Sequence, residues 1–94
     1  MKAVFNGKVI AESDKCEVVE GNQYFPEDSI KKEYFKDSKT PYTCPWKGKC
    51  KYHHVVVDDK VNEDAAWEYP EPKEAAKNIK GYIAFDKNKV EIED

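Results

Sequence analysis

A mainly β fold, with antiparallel strands in a small sheet or partly open barrel and one short helix near residues 73–79, is predicted by three features of this 94-residue sequence. Asn6-Gly7 lies between two alternating apolar runs, the signature of a tight hairpin. Lys49 to Val57 is a β-branched and aromatic run that stops at Asp58-Asp59. Aromatic residues make up 13% of the chain, enough large rings to give so short a polymer a core.

The elements follow in order. Ala3 to Ala11 is a hairpin, because Asn-Gly accepts the two positive φ angles of a type I′ turn. Ser13-Asp14-Lys15 turns the chain into a third strand, Cys16 to Glu20, ended by Gly21-Asn22, so the first 22 residues read as a meander. Pro26 with Glu27 and Asp28 suits one helical turn, followed by an extended piece to Phe35. Asp37 to Pro41 reads as a loop and Lys49 to Val57 as a strand. On that strand Cys50, Tyr52, His54 and Val56 share one face, and Lys51, His53, Val55 and Val57 the other. Asp58-Asp59-Lys60 turns the chain, Val61 begins the return strand, and Pro70-Glu71-Pro72 stops it. A helix over Lys73 to Ile79 would bury Ala75, Ala76 and Ile79, with Gly81 beyond its end. Tyr82 to Phe85 and Val90 to Ile92 read as a closing hairpin. Residues 1–94 form one expected domain.

Composition excludes some functions. Net charge is −3 and all sixteen basic residues are Lys, so neither the Arg forks nor the basic stripe of a nucleic-acid binder are present. No apolar run is long enough to span a bilayer, so no membrane partner is expected. The first residues enter a hairpin rather than a signal-peptide core, and three cysteines, an odd number, suit a reducing compartment. Cytoplasm is the expected location.

Two stretches carry the unusual residues. Cys44-Pro45-Trp46-Lys47-Gly48 offers an indole, a cation and a glycine that admits close backbone approach. Asn62-Glu63-Asp64, Trp67 and Tyr69 offer orienting polar groups and two more flat walls. Brought together, Cys44, Trp46, Lys47, Gly48, Asn62, Glu63, Asp64, Trp67 and Tyr69 would line a pocket that holds a small aromatic or anionic ligand. The plainer reading makes the rings core, with Lys47 pairing Glu63 or Glu71 to close its loop.

In order, Glu20-Gly21-Asn22, Tyr24-Phe25-Pro26, Cys44 to Gly48, Asn62 to Trp67, Tyr69 to Pro72 and Ile79 to Phe85 together resemble the DUF427 family. The resemblance covers essentially the whole chain and implies a small domain of antiparallel strands, without a known function. A nucleotidyltransferase label sometimes accompanies the family. Nucleotidyl transfer needs carboxylates for magnesium and a cradle for triphosphate. Asp58-Asp59 is the nearest imitation here, and Asp in a turn is the simpler explanation.

Two chemical alternatives remain open. Cys44, Cys50, His53 or His54, and Cys16 would make a zinc site, although Cys50 departs from the family pattern and the spacing is long. An enzyme would use Cys44, with His54 activating its thiol, or Lys47. The leading expectation is ligand binding without an assigned reaction or cofactor; a homodimer built on the aromatic surface is the third reading.

Overall fold

The computed structural model describes residues 1–94. Nine strands form two antiparallel sheets: β1 (Lys2–Phe5), β2 (Lys8–Glu12), β3 (Glu17–Val19), β4 (Asn22–Phe25), β5 (Phe35–Cys44), β6 (Gly48–Val57), β7 (Lys60–Glu68), β8 (Ile83–Phe85) and β9 (Glu91–Glu93). The small sheet has the order β2-β1-β9, and the large one β3-β4-β8-β7-β6-β5; neither closes into a barrel.

Local turn chemistry behaves as expected. Asn6 and Gly7 take φ of 51° and 76° between β1 and β2, and Asp58 and Asp59 take 50° and 68° between β6 and β7. Both are type I′ geometry, which Asn, Asp and Gly tolerate because their side chains are short or absent. The aspartates are therefore turn residues. Glu20 and Gly21, at φ of 54° and 79°, make a third such turn, joining β3 to β4.

Pairing over longer range departs from expectation. The first three strands are no meander: β3 pairs with β4 in the large sheet, while β1 lies between β2 and β9. The last two strands are no hairpin either, since β8 lies between β4 and β7 and β9 joins β1. Asp86 turns the chain between the sheets, its carbonyl accepting from the amides of Lys89 and Val90. Burial explains the switch: Val90, Ala3, Ile10 and Ala11 join Phe25, Val55, Val57 and Phe85 in one apolar cluster drawn from both sheets. Phe25 and Phe85 meet edge to face at 5.5 Å.

Residues 37–41, expected as a loop, belong to β5. The register shifts between Asp37 and Pro41, and the strand lies at the sheet's edge. An edge strand tolerates Pro because one row of its amides needs no ladder partner. Solvent on that side also explains the polar sequence that hid the strand.

The other face of the large sheet is covered by residues 74–79. They form a 3₁₀ helix, with backbone at Ala76 (φ −124°) that breaks even that regularity. Prolines precede the segment and no side chain caps it, so a full α-helical turn has little to stabilise it. Ala76 and Ile79, three apart, face inward onto Tyr24, Tyr69 and Ala84; Ala75 is exposed, contrary to the α-helical stripe. Two further 3₁₀ turns lead into β5: Glu27–Ser29 is the expected helical turn, whereas Lys32–Tyr34, expected to be extended, is a second one. No helix is long and apolar enough to cross a membrane.

Candidate functional site

The β5–β6 turn, Pro45-Trp46-Lys47, folds over the second apolar cluster, which contains Cys44, Cys50, Tyr24 and Tyr69. Gly48 makes the turn possible. Its φ is 108°, and a Cβ there would stand 3.3 Å from the carbonyl oxygen of Glu71. The close approach serves the chain itself: the Lys73 amide donates to the Lys47 carbonyl at 2.9 Å, and Lys73 Nζ donates to the Pro45 carbonyl at 2.7 Å. The turn is thereby clamped to the segment after Pro70.

Lys47 is the site's central group, with only 6% of its surface exposed. Its ammonium lies 5.3 Å from the Trp46 ring centroid and 5.2 Å from that of Tyr69. It donates to the Glu20 carboxylate, which comes from the β3–β4 turn and is half-exposed. Burial works to lower the lysine's pKa, but the Glu20 hydrogen bond, with smaller contributions from Tyr24, Glu20's charge and Cys44, raises it above its ordinary value. The same hydrogen bond holds the Glu20 carboxyl below its usual range. Lys47 is thus a permanent cation under aromatic cover. It is poorly suited to act as an amine nucleophile or base.

Beside it a hollow of about 200 Å³ is lined by Tyr42, Lys47, Cys50, Tyr52, Trp67 and Tyr69. Register explains the set. Tyr42 pairs with Cys50 and Tyr52 with Trp67, and alternation along each strand puts these side chains on one face. The Trp67 indole is fixed by donation from Nε1 to the Tyr24 hydroxyl at 3.1 Å and by the Tyr52 ring at 6.3 Å.

Of the residues expected from sequence, Lys47, Trp67 and Tyr69 meet at this hollow. Cys44 is buried in the cluster behind it. Trp46 is 39% exposed and stacks beside Lys47 without lining the hollow. Asn62, Glu63 and Asp64 do not reach it. Asn62 Nδ2 donates to the Lys89 carbonyl at 2.8 Å, and the Glu63 carbonyl accepts from Lys89 Nζ at 2.7 Å. Asp64 accepts from the hydroxyls of Ser38 and Thr40. The cause is a register break opposite His54, where Asp64 adopts φ 51° and ties β7 to β5, while Asn62 and Glu63 hold Lys89 in the segment between β8 and β9. Lys47's partner is accordingly Glu20 rather than Glu63 or Glu71.

Tyr42, Tyr52 and Glu20 were missed. Tyr42 could have been found by stepping two residues back from Cys44 along a strand. Glu20 could not, because it arrives from a separate hairpin.

Neither metal nor thiol chemistry finds its parts here. No group of three or more His, Cys, Asp or Glu side chains is gathered to hold a metal. Cys16 makes a weak contact to the Ser13 carbonyl at 3.9 Å, and His53 and His54 face Glu68 and Asp64. His54 Nδ1 accepts from the Asp64 amide at 3.0 Å, and no hydrogen bond joins either histidine to Cys44. Burial pushes the Cys50 thiol up to about 11, against the lowering effects of the Tyr69 hydrogen bond and Lys47, and likewise pushes the Tyr69 hydroxyl up. One consequence is alkaline sensitivity. A thiol whose folded pKa lies above its unfolded value holds its proton while the unfolded chain loses one. Stability should therefore fall as pH rises from about 9 towards about 11. Urea unfolding of Cys50→Ala beside wild type checks this: the variant should show a shallower decline across that window.

No curated protein matches the chain. The model of a family described as a domain of unknown function, DUF427, matches it over residues 1–94, and the family's name carries a nucleotidyltransferase label. With the match spanning every strand and both turns that meet at Lys47, the chain belongs to the DUF427 family.

Proposed function

We propose that the protein binds a compact planar molecule with an anionic or strongly accepting oxygen, seated on Trp67, Tyr52 and Tyr42 with its oxygen directed at Lys47. The observation that carries this reading is the state of Lys47. A lysine ammonium held among rings, with one half-exposed carboxylate as partner, is a costly feature for a core. It is useful where an acceptor must be drawn to an apolar surface. A hollow of about 200 Å³ limits the ligand to one or two rings. Catalysis finds less support, because no hydrogen bond joins a histidine to Cys44 and Lys47 stays protonated. Triphosphate transfer lacks a gathered carboxylate set in particular.

The test is thermal unfolding against small aromatic carboxylates and heterocyclic amides, nicotinate and nicotinamide first. A ligand that binds only the folded chain should stabilise it by about 3 kcal/mol at a hundredfold excess over Kd. Tyr42→Ala removes a half-exposed wall with little effect on the fold, and should abolish most of the shift. Shifts of equal size in wild type and Tyr42→Ala, or none across the series, would dispose of the reading.

A further inference from the structure

The ammonium at the Trp67 hollow already holds one carboxylate. Glu20 projects from the β3–β4 turn, where its φ is 54°, and accepts a hydrogen bond from Lys47 Nζ. β3 and β5 are the two edges of the large sheet, so the pair ties together turns that adjoin its opposite edges. The lysine's charge is therefore matched before any ligand arrives. An ammonium has three N–H groups and Glu20 takes one, so Lys47 can still donate to an oxygen in the hollow that it lines.

The rest of the lining disfavours a second anion. It consists of four aromatic rings and one thiol, with no other cation. The Trp67 indole N–H is committed to the Tyr24 hydroxyl. A ligand carboxylate would share one ammonium with Glu20, placing two like charges on a single counter-ion. The walls carry the same preference in their own protons. Burial pushes the Cys50 thiol up to about 11, and it also raises the Tyr52 and Tyr69 hydroxyls. Lys47 works to lower the Cys50 value and is outweighed. A neutral carbonyl escapes both costs, since it takes one N–H and brings no charge into the apolar hollow.

Resting on the reading of this hollow as a ligand site, we propose that it selects a neutral carbonyl compound, an amide or lactam carried on one or two aromatic rings, and that Glu20 excludes the corresponding carboxylate. The carbonyl oxygen accepts from Lys47 Nζ while the rings lie on Trp67 and Tyr52. Glu20 acts by neutralising Lys47 and repelling a second anion, so it determines specificity without touching the ligand.

Titration calorimetry with nicotinamide and nicotinate, two molecules of nearly one shape that differ in charge, reads this selection. At about pH 7.5 nicotinate is ionised, and so is Glu20, whose carboxyl the Lys47 hydrogen bond holds below its usual range. Wild type should bind nicotinamide at least about tenfold more tightly than nicotinate. Glu20→Gln keeps the side chain's length at a half-exposed position and removes only its charge. In that variant the ratio should fall by about tenfold, with the change on the nicotinate side. A general loss of stability would weaken both ligands alike and leave the ratio unmoved. Nicotinate binding wild type as tightly as nicotinamide, or a ratio unchanged in Glu20→Gln, would overturn the selection while leaving the hollow a binding site. Should Glu20→Gln not fold, the wild-type ratio still decides. No nicotinamide binding to wild type, or binding unaltered by Tyr42→Ala, would remove the site and its selection together.

Discussion

Gly48→Ala should lower the midpoint of thermal unfolding by about 10–20 °C, corresponding to about 2–3 kcal/mol for a chain of this size. Two causes add. A φ of 108° lies outside the conformations that a side-chain-bearing residue adopts at low cost, and the new methyl would press on the Glu71 carbonyl at 3.3 Å. Relief requires the Glu71–Lys73 segment to move, which endangers the Lys73 amide bond to the Lys47 carbonyl. Gly7→Ala isolates the backbone part. That glycine also has a positive φ, of 76°, but nothing lies within 4 Å of its missing Cβ, so a shift of about half the size or less is expected. Equal shifts for the two variants would mean that the contact with Glu71 costs nothing.

Lys47→Ala should cost about 2–3 kcal/mol, measured by urea unfolding. Most of this loss comes from packing. The lysine stem fills space between Trp46, Tyr69 and the buried thiols, and its removal leaves a void that the clamped turn cannot close. The ion pair contributes less, because Glu20 is half-exposed and regains water when the ammonium is lost. Lys47→Met, which retains the stem, should recover about half of the loss. If Met proves as damaging as Ala, the charge rather than the stem holds the turn. Lys47→Met should still lose any nicotinate response, so stability and recognition separate in one variant.

Several elements were legible in the residues because their causes are local. Asn6-Gly7 and Asp58-Asp59 favour their turns through local preference, since tolerance of positive φ belongs to the residue itself. Alternation along residues 49–57 likewise announced β6, and it separated Cys50 and Tyr52 from His53 and Val55 correctly. Between Asp37 and Pro41 the same logic failed, since an edge strand facing solvent lacks the apolar rhythm that alternation needs. The site was half legible for a related reason. Lys47, Trp67 and Tyr69 could be collected as conspicuous residues, but Asn62, Glu63 and Asp64 were misplaced by a bulge that no periodicity announces.

Turns and the faces of the longer strands are thus written into neighbouring residues, through φ preference and the two-residue repeat of extended chain. Sheet membership is of another kind. β3 and β9 are each three residues long and could extend either sheet; their partners are set by which apolar side chains, such as Val90 and Ile10, can leave water together. Glu20 reaches Lys47 for that reason alone. Packing brings two distant turns to the same edge of one cluster, and burial favours a cation only where packing has also delivered its counter-charge.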